Sequence, residues 1–338
     1  MSKNKFQVYI LIIIFLSISF CTSNIHEYMK FQQSYDNSVF HNISFELQSN
    51  IKIFCVILTT PKNKEAKCIP QKNTWLKRCN NYVFASTIND KTLPSIKSFR
   101  HDDYKYSYGK IKNAFRWVKN NYNIDEYDYF LKADDDTYFI MENLRGYLIN
   151  KNPDKYFYFG FRVYNPPNNI KNAYIQGGAG YVMSKVTFKT LVEKGFNNPN
   201  YCSQRNDMFD DMEIGRCLNR MGIYTSFLLD DKYRILFNPQ DLASTIMGRK
   251  NQKDFFERYG KIYLREGYNA MSDYPISFHY IKGDFMYVLE YLFYHAQVIG
   301  MTTRMDRIEN SDKVGTMKKV QQRMELIKMF TKYNYRRL

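Results

Sequence analysis

The chain has 338 residues and a formal net charge of +16, with 44% hydrophobic and 17% aromatic residues. That length holds one large domain or two small ones, and that apolar content excludes global disorder. Lys, Asn, Ile and Tyr are spread throughout; with no Arg-rich block interleaved with aromatics and no zinc-finger spacing, a nucleic-acid partner is not expected.

Lys3 and Lys5 precede an apolar run over residues 6–21. As a helix it spans roughly 24 Å, against about 30 Å for a bilayer core, so it reads as a secretory signal or a short membrane anchor. The basic residues keep residues 1–5 cytosolic. An uncleaved anchor and a cleaved signal peptide both send the body of the chain into the secretory pathway. Residues 22–50 are polar, without a firm period, and read as a stem. They contain the glycosylation sequon Asn42-Ile43-Ser44.

A folded core begins at residues 51–60, a strand-like apolar run that stops before Pro61. Trp75 to Cys79 opens a helix or a turn, and Tyr82 to Ala85 is a second strand. Residues 108–122 carry Ile111, Ala114, Phe115 and Val118 on one helical face. The next run, Tyr127 to Ile140, leads through apolar residues into Asp134-Asp135-Asp136. Two like charges about 4 Å apart cost roughly 4 kcal/mol at an effective dielectric of about 20. A cation relieves that repulsion, and carboxylate oxygens suit Mg²⁺ or Mn²⁺, which usually also hold phosphates. The bland alternative is a solvated acidic turn. A helix follows near residues 141–148. Strands alternating with helices predict a layered α/β sheet, with ligands beyond the strand carboxyl ends.

Farther on, Gln176 to Ser184 is rich in glycine, suited to close backbone approach or to a tight bend; phosphate-loop spacing is absent. Asp210 and Asp211 open a helical pattern, where caps are as natural as catalytic groups. His279 lies in an apolar run, where a hydrogen-bonded core histidine is the usual case. Beyond about residue 300 the chain becomes a basic tail. The cysteines outside the apolar run, Cys55, Cys68, Cys79, Cys202 and Cys217, include no CxxC pair. They suit an oxidising lumen.

Several segments together resemble the inverting β-1,3-glycosyltransferases, most closely the core 1 β-1,3-galactosyltransferases. They are Thr74 to Cys79, Trp117-Val118, Phe130 to Tyr138, Tyr158 to Gly160, Gly177 to Ser184, Asp211 to Cys217, Ser277 to Tyr280 and Glu290 to His295. The resemblance covers residues 51 to 296 in the family's order. It implies a GT-A type fold, with a mostly parallel central sheet flanked by helices. It further implies a type II Golgi or endoplasmic-reticulum membrane protein with a lumenal catalytic domain, using a UDP-sugar and Mn²⁺. The organisation expected is a cytosolic tail (1–5), anchor (6–21), stem (22–50), catalytic domain (51–298) and basic tail (299–338).

By the same resemblance, Asp136 and His279 bind the metal, and a mixed carboxylate and imidazole set suits Mn²⁺ better than Ca²⁺. Asp134 and Asp135 orient the nucleotide ribose and the sugar or the metal's waters, Thr59 and Thr60 lie near the uridine, and Gly177 and Gly178 close against the sugars. Asp211 is the catalytic base, with Asp210 in place of the family's Glu. Cys55 pairs with Cys79 and Cys202 with Cys217. The expected substrates are UDP-galactose and O-linked GalNAc of glycoproteins; UDP-GlcNAc or fringe-like transfer, and a non-enzymatic lumenal chaperone, are the alternatives. A homodimer is compatible with the resemblance. Two departures stand out: Ala270-Met271 replaces an adjacent cysteine pair, and Asp254 to Gly260 lacks the tryptophans tied to acceptor recognition.

Overall fold

The computed structural model describes residues 40–167, 173–226 and 229–296. Strand β1, Ile53–Leu58, is its axis, and all six residues are buried. Ile53, Cys55 and Ile57 enter one hydrophobic core, and Phe54 and Val56 enter another on the opposite face. A strand covered on both sides reads as a continuous apolar run rather than an alternating one.

Strand β1 pairs in parallel with β2 (Asn81–Ser86), which pairs in parallel with β3 (Ser95–Lys97). On its other side lies β4 (Tyr129–Asp134), also parallel. The short strands β5 (Tyr138–Phe139), β6 (Tyr158–Gly160), β7 (Arg162–Tyr164), β8 (Ala173–Ile175) and β9 (Tyr181–Ser184) follow in the chain. The main sheet has the order β3-β2-β1-β4-β9-β6, with β9 antiparallel to both of its neighbours. This is the mainly parallel α/β sheet that the alternating pattern predicts.

The expected stem ends in a helix, α1 (Phe40–Asn50), where the residues carry no clear helical period. Tertiary contacts hold it: Leu47 is buried, and Ser44 Oγ donates to Glu142 (2.8 Å). The Asn42 side chain, the apolar run and the basic tail lie outside what is described. No described helix is long and apolar enough to cross a membrane. Helix α2 (Ser107–Asn121) lays Ile111, Ala114, Phe115 and Val118 on the sheet, and α3 is Met141–Leu148.

A second small sheet sets the site. Strand β11 (Ser277–Phe278) lies between β5 and β10 (Phe237–Asn238). Phe278 is antiparallel to Tyr138, and Ile281 N–H donates to Asp136 O (2.9 Å). This register carries His279 to Asp136, far away in sequence.

Helices α4 (Asp210–Arg220) and α5 (Gly283–Tyr294) complete the framework. Arg78 forms a bidentate pair with Glu290 (2.7 and 3.0 Å), and its guanidinium lies 3.6 Å from the centre of the Tyr294 ring. The distant motifs Thr74 to Cys79 and Glu290 to His295 are therefore one structural unit. Disulfides join Cys55 to Cys79 and Cys202 to Cys217. Cys68 is unpaired and buried, and burial pushes its thiol up to about 12, leaving it unreactive.

Candidate active site

The carboxyl ends of β1 and β4 lie side by side, with Leu58 opposite Asp134. A cavity of about 540 Å³ opens beyond them, lined in part by Thr59, Thr60, Asn63 and the three aspartates. The three adjacent carboxylates have different surroundings. Asp135 is buried and accepts from Thr59 Oγ1 (2.7 Å) and Asn63 Nδ2 (2.8 Å), with Lys67 Nζ at 3.0 Å. These partners make it a brace for the β1 end. Asp136 is half-buried between Lys67 Nζ (3.0 Å) and His279 Nε2 (3.3 Å). Burial opposes its ionisation, but His279 and Lys67 prevail and take it down to about 2.

Asp134, Asp136 and His279 each offer one ligand atom, and these atoms lie within 4.8 Å of one another. The imidazole is oriented for ligation. Its Nδ1 is 3.0 Å from Pro239 O, which can only accept, so Nδ1 carries a proton. To ligate a metal the ring gives up its Nε2 proton, and its lone pair would then face Asp136 Oδ1. A divalent cation reconciles them, and the carbonyl behind the ring is the outer support that metal-binding histidines normally have. The donor set therefore fits a hard or borderline divalent ion. Gly178 makes room for the ring: a Cβ there would stand 2.0 Å from His279 Cε1.

Behind the carboxylates lies Lys132, fully buried in β4. Its Nζ is 2.6 Å from Asp134 Oδ1 and 3.0 Å from Asp210 Oδ2. Asp210 is itself buried and tied to Ser107 Oγ through its N–H (3.0 Å). Asp211 is half-buried. Its Oδ2 accepts from Gly177 N–H (2.9 Å) and its Oδ1 from Met212 N–H (2.7 Å). Burial, reinforced by the Asp210 charge, pushes Asp211 up to about 7. Burial likewise raises Asp134 above the usual carboxylate range.

The Fringe-like family pattern matches residues 48–229, more than half of the chain and the whole β1-to-α4 frame. The chain belongs to the Fringe-like family. This Fringe-like protein is a glycosyltransferase, grouped with the core 1 β-1,3-galactosyltransferases by its Xenopus relative. It is 36% identical over 273 residues to glycoprotein-N-acetylgalactosamine 3-beta-galactosyltransferase 1 of Xenopus laevis, covering 80% of this chain and 72% of that one. Chondroitin sulfate synthase 3 of Mus musculus is 26% identical over 192 residues, half of this chain but 21% of the synthase.

Among the residues singled out in the sequence, the structure brings Thr59, Thr60, Asp134, Asp135, Asp136, Gly178 and His279 to one cavity. Asp211 and Gly177 meet each other beside it. Lys67 lies in none of the motifs, and Lys132, although inside the segment Phe130 to Tyr138, has no role that the resemblance implies. A lysine inside an otherwise apolar strand is the signal that points to Lys132, because a buried ammonium needs carboxylates around it. Where the glycosyltransferase lacks the cysteine pair, Ala270 and Met271 are buried, Met271 bridges Ile235, and the adjacent Arg234 is paired with Asp230 and Asp273 (2.7–2.8 Å). In the tryptophan-free segment Phe256 is fully buried, and Phe255 packs against Phe161, Phe256 and Tyr259.

Proposed function

We propose that this glycosyltransferase moves galactose from UDP-galactose to O-linked GalNAc on glycoproteins, with inversion at the anomeric carbon and with Mn²⁺. The name of the Xenopus relative supports the substrate pair. The observation that carries the reaction is the pairing of a three-ligand group, Asp134, Asp136 and His279, with a separate half-buried carboxylate, Asp211.

In this reading Asp136 and His279 hold the ion, joined by Asp134. The bound ion supplies charge stabilisation for the departing diphosphate. Thr59 and Asn63 hold Asp135 in place, which fixes the β1 end against the nucleotide. Thr60 Oγ1 is buried at the cavity without a partner among the described residues, which suits a hydrogen bond to the nucleotide. Lys67 adds a cation at the edge where diphosphate would lie. Asp211 takes the proton from the acceptor hydroxyl as that oxygen attacks. Gly177 N–H keeps its carboxylate oriented, and a pKa near working pH suits a general base.

The site argues against a non-enzymatic chaperone role. The two disulfides support an oxidising lumen, with residues 6–21 as anchor or signal and Asn42 as a glycan acceptor. The test is transfer by the purified protein to a GalNAc-serine peptide, with UDP-galactose and UDP-GlcNAc offered separately and with Mn²⁺ or EDTA. Mn²⁺-dependent galactose transfer is expected. Transfer from UDP-GlcNAc alone would overturn the donor, and transfer surviving EDTA would overturn the metal.

A further inference from the structure

An acceptor must bring its hydroxyl to Asp211, so the exposed surface beside Asp211 is the surface the acceptor meets. Two aromatic side chains stand there. Phe209 precedes Asp210 and Asp211 at the start of α4 and is 44% exposed, and Tyr104 lines the cavity and is 59% exposed. Their ring centroids are 5.3 Å apart, with the planes tilted by 41°. Neither ring belongs to the two hydrophobic cores.

The backbone beneath the pair is stitched together. Tyr108 N–H donates to Met208 O (3.0 Å), Gly109 N–H to Asn206 O (3.3 Å) and Asp210 N–H to Ser107 Oγ (3.0 Å). The turn that starts at Tyr104 is capped by Asp103, which accepts from Lys105 N–H (3.1 Å). Tyr104 lines the same cavity as Asp134, Asp135 and Asp136. Rigid aromatic side chains on a fixed backbone lose little entropy on binding.

We propose that Tyr104 and Phe209 form the platform on which the acceptor sugar stacks, holding its attacking hydroxyl against Asp211. The apolar C–H face of a pyranose matches an aromatic ring, and Phe209 lies two residues before Asp211 in the chain. This rests on the reading of Asp211 as the base. It also locates an aromatic surface outside the segment Asp254 to Gly260, whose Phe255 and Phe256 are committed to internal packing.

The experiment varies GalNAc-serine peptide and UDP-galactose independently for the parent, Tyr104→Ala, Phe209→Ala and Phe209→Trp. Each alanine is expected to raise the acceptor KM about tenfold, leaving the UDP-galactose KM and calorimetric UDP binding unchanged. Phe209→Trp is expected to restore or lower the acceptor KM. An acceptor KM within about twofold of the parent in both alanine variants overturns the platform. So does weakened UDP binding, which would mean that the rings stack on uracil. If the parent transfers nothing to the peptide, the acceptor under Proposed function is wrong. Saturation-transfer NMR on the UDP-loaded protein then reads the platform with methyl glycosides of GalNAc, GlcNAc, fucose and glucuronic acid. Contact with any of them, lost in Phe209→Ala, upholds it; no contact, or contact unchanged by Phe209→Ala, overturns it.

Discussion

Lys132→Met removes the one charge that lets two carboxylates meet behind the site. Methionine keeps most of the side-chain volume, so packing changes little. What changes is that Asp134 and Asp210, 2.6 and 3.0 Å from Nζ, lose their common partner in a buried place. Breaking a buried ion pair from one side costs roughly 3–5 kcal/mol, because the remaining charge is left uncompensated. Two carboxylates about 5 Å apart would add about 3 kcal/mol at an effective dielectric of about 20, so one of them takes up a proton instead, which caps the loss. We expect Lys132→Met to lose about 3–5 kcal/mol in urea unfolding at pH 7 in EDTA. The sign with pH follows from the carboxylates. Their folded pKa values in the variant lie above the unfolded value of about 3.9, so the penalty grows as pH rises above it and shrinks towards pH 4. Adding Asp210→Asn removes one stranded charge and is expected to recover about half of the loss. A loss under about 1 kcal/mol at pH 7, or no recovery in the double variant, would refute the claim that this lysine is the site's buried counter-charge.

Three other predictions concern the chemistry. Asp211→Asn is expected to lower transfer about 10²–10⁴-fold while calorimetric UDP and Mn²⁺ binding stay as in the parent. The acceptor-side kcat/KM is expected to rise with pH through about 7, as Asp211 loses its proton; Asp210→Asn removes a like charge and frees Lys132, so the limb moves to lower pH. A flat profile between about pH 5.5 and 8 would exclude Asp211 as the base. Gly178→Ala drives a methyl into the His279 ring, so Mn²⁺ binding followed by electron paramagnetic resonance should weaken about 10–100-fold. Unaltered Mn²⁺ affinity there would remove His279 from the ligand set.

The first strands and helices of the main sheet were legible from residue patterns, whereas the two-residue strands β10 and β11 and helix α5 were not. The apolar run before Pro61 is β1, the helical face with Ile111 and Phe115 is α2, and the expected helix over residues 141–148 is α3. Helix α1 was not, because its stability comes from packing of Leu47 and from Ser44 on Glu142 rather than from its own pattern.

By itself the sequence determined the α/β frame, the acidic strand end and the cysteines available to pair, since these follow from local periodicity, charge spacing and composition. Only the tertiary structure decided which carboxylate does what. The register of β5 with β11 brings His279 to Asp136, Lys132 turns Asp210 into a buried partner, and Gly177 aims the half-exposed Asp211. Adjacent aspartates are the same chemical group, and their tasks diverge only through burial and through partners contributed by distant segments.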